Sequence, residues 1–256
     1  MELTVGKGEN NFTMSRGSFV YNQSFSNKEL CKLFDKEEIE DGYILYFQDA
    51  KHQHRIKVVD EGGKISVDYM GEVPEGVNRF WLTIPTSPNE KIYGCGETYS
   101  KLDLKGEKVR IWVAEHQNVN RISKKVIKRA TIGRIIGKQP KKTMKFSKYE
   151  SYYAQPTFTS SNRYYVHVFT NAYSEFDFSK PDKITFYLQE APHFVTEEGE
   201  SFSEVSEKLS ALLGRVQALP DWIYDGAILA VQEGCEAIDR KLKKAFDAGV
   251  KVCGVW

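Results

Sequence analysis

Three kinds of residue in this chain could do chemistry: carboxylates, cysteines and the glycine-rich stretch "YGCGE". Carboxylates do general acid–base work when a second group is held within reach. Glu97 with Asp103 is one pair that could be picked, but among 35 acidic residues chance pairs are common, and neither is assigned a role. Cys31, Cys95, Cys235 and Cys253 share no metal-type spacing, which reads as reduced, buried thiols in a cytoplasmic protein. In "YGCGE" the glycines Gly94 and Gly96 serve backbone geometry. A phosphate loop is excluded, since no helix start carrying Lys and Ser or Thr follows at the required spacing. Residues 121–150 place Arg121, Arg129, Arg134 and eight lysines against the single acid Glu150. This reads first as a solvated hairpin, then as an attractor of anionic substrates. Last comes nucleic acid, for which interleaved exposed aromatics are missing.

The elements that must position such residues change character along the chain. Hydrophobic residues make up 41% and aromatics 13%, enough for a packed core, which rules out disorder. The net charge of +1 gives no general pull toward nucleic acid or membrane. No run of about eighteen apolar residues is present, and the opening "MELTVGKGENNF" has no apolar signal core. Over the first two hundred residues, "GYILYFQDA", "HRIKVVDE", "KISVDYMG", "NRFWLTIPT", "RYYVHVFT" and "KITFYLQEA" are short β-branched and aromatic runs bounded by turn residues, the signature of an antiparallel sandwich. "EGGK" at 61–64 is a hairpin turn. "SFSEVSEKLSALLG" then has helical spacing, a capping box at Ser201 and Glu204, and Gly214 as its stop. After a linker at "RVQALPDW", "IYDGAILAVQ" reads as a strand, "CEAIDRKLKKAFDAG" as an amphipathic helix and "VKVCGVW" as a second strand. That is a β-α-β unit with parallel strands. Parallel strands are buried on both faces, so this unit reads as the opening of a larger α/β domain.

Several of these stretches carry a family resemblance. "IYGCGETYSKLDLKG", "QPTFTSSNRYYVHV", "FDFS", "LSALLGR", "LPDWIYDGAILAVQEG" and "AGVKVCGVW", in this order, resemble glycoside hydrolase family 31, and within it the bacterial sulfoquinovosidase branch, long called α-glucosidases. The resemblance runs from about residue 77 to Trp256. It implies a mainly β fold: a galactose-mutarotase-like N-terminal β-sandwich over 1–218, then the first β-α-β unit of a (β/α)8 barrel over 219–256. It also implies cleavage of α-glycosidic bonds by a retaining mechanism, for which two carboxyl groups lie about 5–5.5 Å apart. The family's two aspartates match no residue here and are expected beyond Trp256. No catalytic residue is therefore assigned, and the chain alone is expected to be inactive. No cofactor or metal is expected. The implied partner is a carbohydrate, an α-glucoside or sulfoquinovoside, with no nucleic acid, no membrane and no assigned oligomeric state.

What the resemblance carries over is substrate binding. Gln232 matches a glutamine linked to holding the sugar's sulfonate, at the carboxyl end of barrel strand one; a neutral amide can donate to an anionic oxygen. The alternative is a glutamine that caps the strand or bonds the next loop. Relatives have glycine where Glu233 stands, and a carboxylate there would repel a sulfonate unless it points away. Trp256 matches a tryptophan at the mouth of strand two, whose face would suit a sugar; the alternative is a core tryptophan. Glu115 and Arg121, in "WVAEHQNVNR", match a sandwich loop that extends toward the barrel mouth, as sugar contacts or as residues that fix the loop. A different class remains open: a non-catalytic carbohydrate- or partner-binding β-sandwich.

Overall fold

A computed structural model describes residues 1–15, 18–98, 100–113 and 152–256. The chain divides into two compact units, Met1–Leu209 and Ser210–Trp256.

The first unit is two antiparallel sheets. Numbered along the chain, the six-stranded sheet runs β2 (Ser18–Leu30), β1 (Glu2–Ser15), β7 (Arg79–Pro85), β13 (Lys183–Leu188), β12 (Ser174–Asp177) and β9 (Lys108–Ile111). The eight-stranded sheet runs β3 (Lys32–Ile39), β4 (Gly42–Gln48), β5 (Gln53–Glu61), β6 (Lys64–Met70), β14 (His193–Glu198), β11 (Tyr164–Val168), β10 (Ala154–Ser160) and β8 (Ile92–Gly96). Alternation along each strand builds the core between them. Leu3 and Val5, Phe80 and Leu82, and Ile184, Phe186 and Leu188 come from the first sheet; Leu45 and Phe47, Ile56 and Val58, and Val166 and Val168 come from the second. Phe158, Phe176, Phe178, Phe186 and Phe194 form a tilted and edge-to-face aromatic centre, with Phe158 and Phe178 centroids 5.2 Å apart.

The intervening residues of the six-stranded sheet make a second layer on its other face. Trp81 and Tyr187 are paired neighbours on β7 and β13, and with Tyr21, Tyr173 and Trp112 they form a separate aromatic cluster. Its tyrosine hydroxyls are hydrogen-bonded: Tyr21 OH donates to Asn10 Oδ1 at 2.8 Å, where Arg79 Nη2 also donates at 2.7 Å.

All six runs read as strands are strands, and the 61–64 turn holds Gly62 and Gly63 at φ +67° and +97° between paired Glu61 and Lys64. The hairpin β1–β2 is not evident in the sequence. β1 pairs with β7 only over Glu2–Gly6, while its ladder with β2 continues to Ser15 and Ser18. Beyond Gly6 the arm pairs only with its own partner strand, and polar residues such as Lys7, Glu9, Asn10, Asn22 and Gln23 are interrupted by Phe12, Tyr21 and Phe25, which reach the outer aromatic layer. β3 is an edge strand whose residues are almost all exposed, with Lys32, Asp35, Lys36, Glu37 and Glu38 along it and a bulge between Leu33 and Asp35.

Helix α1 (Phe202–Leu213) begins at the predicted cap: Ser201 Oγ accepts from Glu204 N–H at 3.2 Å, and the Glu204 carboxylate accepts from Glu200 N–H at 2.8 Å. Only Val205 of its apolar stripe is buried. In the second unit, Pro220 starts a 3-10 turn over Asp221–Asp225 rather than a strand, so β15 is shorter than "IYDGAILAVQ" suggests, at Ala227–Leu229. Helix α2 (Cys235–Asp247) follows, then β16 (Val252–Val255), which pairs parallel to β15. All four cysteines are free, but only Cys31 and Cys95 are buried; Cys253 is half-buried and Cys235, at the start of α2, is exposed, so the expectation of buried thiols holds for two. Burial pushes the Cys31 thiol up to about 12, with Asp49 and Glu29 adding to the effect. Among the described residues no helix is long and apolar enough to cross a membrane.

Candidate functional site at the carboxyl ends of two parallel strands

The parallel ladder of β15 and β16 continues past the strand assignments. Trp256 N–H donates to Leu229 C=O at 3.0 Å, and Val231 N–H donates to Trp256 C=O at 2.9 Å. Gln232, the next residue, is thus brought to the same end of the pair as Trp256. This is the carboxyl end, where parallel α/β sheets bind ligands. Gln232 is exposed, and its amide has no hydrogen-bond partner among the described residues. Trp256 is 86% exposed. Glu115 and Arg121 lie outside the described residues, as does the basic segment 121–150.

Glu233 occupies the turn between Gln232 and α2. Its carboxylate is 3.4 Å from Lys241 Nζ and 3.8 Å from Arg240 Nη2, both on α2. Its backbone is held at φ +115°, a conformation that favours glycine, and Gly234 follows at φ +84°. The exposed ion pairs contribute little, so the strain should dominate. Glu233→Gly is therefore expected to stabilise the second unit by roughly 0.5–1 kcal/mol. Hydrogen exchange of amides 227–256 should slow; faster exchange would show that the ion pairs outweigh the backbone.

The other carboxylates singled out have local duties. Asp103 Oδ1 accepts from Ile92 N–H at 3.2 Å and from Lys105 N–H at 3.0 Å, which fixes a loop. Glu97 Oε2 is buried and has no hydrogen-bond partner among the described residues. Glu90, not evident in the sequence as a special residue, is 3% exposed. Thr86 Oγ1, Ser160 Oγ and Tyr164 OH all donate to its carboxylate, and Ser87 N–H donates from 3.2 Å. Burial, then Glu90, pushes the Tyr164 hydroxyl's titration upward. A carboxylate so occupied ties the β7–β8 turn to β10 and β11 and has no acceptor to spare for catalysis. A second cluster that sequence reasoning missed, Asp49 with His52 and His54, closes the β4–β5 turn. Its signal is the spacing D-x-x-H-x-H.

Residues 6–124 match the glycosyl hydrolase 31 N-terminal galactose mutarotase-like domain. Over this region the two-sheet fold and the match together show a domain of the glycosyl hydrolase 31 N-terminal, galactose mutarotase-like kind. Along nearly its whole length it is similar to sulfoquinovosidases. It is 33% identical to the Escherichia coli K12 sulfoquinovosidase over 99% of this chain and 37% of that protein, and 28% identical to that of Agrobacterium fabrum strain C58 over 98% of this chain and 36% of that protein. Among solved structures, a family 31 sulfoquinovosidase from E. rectale, in complex with an aza-sugar inhibitor, superimposes with a TM-score of 0.77 at 30% identity, covering 100% of this chain and 37% of that one. The chain thus spans little more than a third of the length of these relatives.

Proposed function

We propose that these residues supply the N-terminal sandwich, over 1–218, and the first strand–helix–strand of a (β/α)8 barrel, over 219–256, in a sulfoquinovosidase-like retaining α-glycoside hydrolase of the cytoplasm. The observation that carries the reading is that the Val231–Trp256 bond brings Gln232 and Trp256 to one carboxyl strand end, with the Gln232 side chain exposed. In this reading Gln232 donates an amide N–H to a sulfonate oxygen of the sugar, and the exposed face of Trp256 lies against the sugar's apolar side. Glu233 places its charge beside Lys241 and Arg240, which favours an anionic group next to Gln232. Ile228 and Val255 are exposed on the two parallel strands, as expected where further barrel strands and helices cover them. No residue of the chain is assigned as nucleophile or acid/base, and these residues by themselves are not expected to cleave glycosides.

The test is Gln232→Ala in the hydrolase that carries these residues together with the family's catalytic carboxylates. A hydrogen bond to a charged group is worth roughly 1.5–3 kcal/mol. Accordingly kcat/KM should fall roughly 10- to 150-fold more for an aryl α-sulfoquinovoside than for an aryl α-glucoside. Equal losses for the two substrates would remove the sulfonate role.

A second reading, a carbohydrate-binding sandwich without catalysis, is favoured by one observation. The aromatic layer on the six-stranded sheet leaves Phe12 and Phe25 exposed beside half-buried Trp81 and Trp112, with the amides of Asn10, Gln23 and Gln189 among them. Sugar retention that survives loss of the strand-end residues would point there.

A further inference from the structure

We infer that Asp49, His52 and His54 form a binding site for one zinc-class divalent cation at the β4–β5 turn. Gln48 and Gln53 are the last paired residues of the hairpin, so residues 49–52 make a four-residue loop. Asp49 N–H donates to His52 C=O at 3.1 Å and closes it. Asp49 Oδ1 accepts from Lys51 N–H at 2.7 Å and His52 N–H at 2.6 Å, which fixes the carboxylate by one oxygen. The other oxygen, Oδ2, is left facing two imidazoles: His54 Nε2 at 3.1 Å and His52 Nδ1 at 3.4 Å. His52 and His54 are two residues apart, a spacing that puts both rings on one side of an extended chain.

The separations fit an ion rather than merely a turn. Zinc–nitrogen and zinc–oxygen bonds are about 2.0–2.2 Å, so ligand atoms on a tetrahedral ion lie roughly 3.3–3.5 Å apart. Two of the three edges already have nearly that length, and all three ligand atoms lie within 4.8 Å of one another. Two imidazoles and a carboxylate are a donor set suited to zinc. The outer partner is also present. His54 Nδ1 is 2.9 Å from Tyr69 OH, so the ring can donate there and turn an unprotonated Nε2 toward the ion. The supporting groups are packed, with His54 1% exposed and the Asp49 side chain 6% exposed, while the His52 side chain, at 32%, leaves a way in from solvent and a fourth position for water.

The experiment uses the full 256-residue chain, stripped with a chelator and titrated with zinc chloride in a calorimeter. The expected result is one zinc ion per chain and a thermal midpoint that climbs with zinc concentration. His52→Ala and Asp49→Asn should each abolish binding; His52, in the turn and partly exposed, can be lost without opening the core. Tyr69→Phe should weaken zinc by about 10–100-fold. Cobalt should give the visible absorption of a tetrahedral ion in the parent chain and not in His52→Ala. Absence of stoichiometric zinc binding would overturn the inference and leave the cluster as a hydrogen-bonded turn. Zinc binding unchanged in folded His52→Ala and Asp49→Asn would overturn it equally, because the ion would then lie elsewhere.

Discussion

Replacing Gly96 with alanine will cost the sandwich about 2–5 kcal/mol, from left-handed backbone strain of roughly 1–2 kcal/mol together with overpacking of roughly 1–3 kcal/mol. Gly96 pairs with Ala154 on β10 at φ +88°. A Cβ there would stand 2.2 Å from the Tyr153 carbonyl oxygen, 2.9 Å from Gln155 N and 3.0 Å from Ala154 Cα. All three obstacles are backbone atoms, so no side chain can swing aside. The strand pair itself would have to part, and with it the bond in which Glu97 N–H donates to Tyr153 C=O at 2.8 Å. Since a domain holds only about 5–15 kcal/mol in total, the variant should unfold at much lower urea concentration. A midpoint equivalent to less than about 1 kcal/mol of loss would mean that β8 and β10 separate at little cost.

Glu90→Ala should be of similar size, about 2–5 kcal/mol, because it orphans several buried donors at about 1–3 kcal/mol each, less whatever water recovers. The substitution leaves the hydroxyls of Thr86, Ser160 and Tyr164 and the Ser87 N–H facing a space with no acceptor. Each orphaned donor costs about 1–3 kcal/mol unless water reaches it. Urea unfolding measures the loss. Glu90→Gln, which keeps one acceptor oxygen but adds donors among donors, should fall between the two. If the alanine variant lost under about 1 kcal/mol, water must fill the site and the network would be no anchor.

Where residues alternate between two packed faces, the chain states its own structure. β7 reads Phe80, Trp81, Leu82 because Phe80 and Leu82 enter the core and Trp81 joins the outer aromatic layer. β13 does the same with Phe186, Tyr187 and Leu188. The β1–β2 arm and β3 lack a buried face along most of their length, so their mixed polar and aromatic residues keep no strict period of two and read like a loop. The glycines of "YGCGE" are legible as backbone requirements, and Cβ clearance at Gly96 shows the requirement met. Gly94 obeys it too, at φ +120° with the Thr157 carbonyl oxygen 2.9 Å from its would-be Cβ.

The candidate site was legible for a different reason. Nothing in the pattern around Gln232 marks it; the motif resemblance did, and the strand ladder then put Trp256 beside it. The orientation of Glu233 could not be read from the sequence, because it depends on where the first two turns of α2 place Arg240 and Lys241. Asp49, His52 and His54 were in plain view as D-x-x-H-x-H. That the turn would fold Asp49 back onto both rings depends on two backbone donors, Lys51 and His52, that no side-chain pattern announces.

The charged edge β3 sets a limit on how this protein can grow. A strand arriving at that flank would face the charges of Lys32, Asp35, Lys36, Glu37 and Glu38 and a ladder thrown out of step between Leu33 and Asp35. It could match one stretch of amides only by missing the next. The eight-stranded sheet is therefore closed to extension there, and crowding many copies together does not turn that rim into the seed of a fibre.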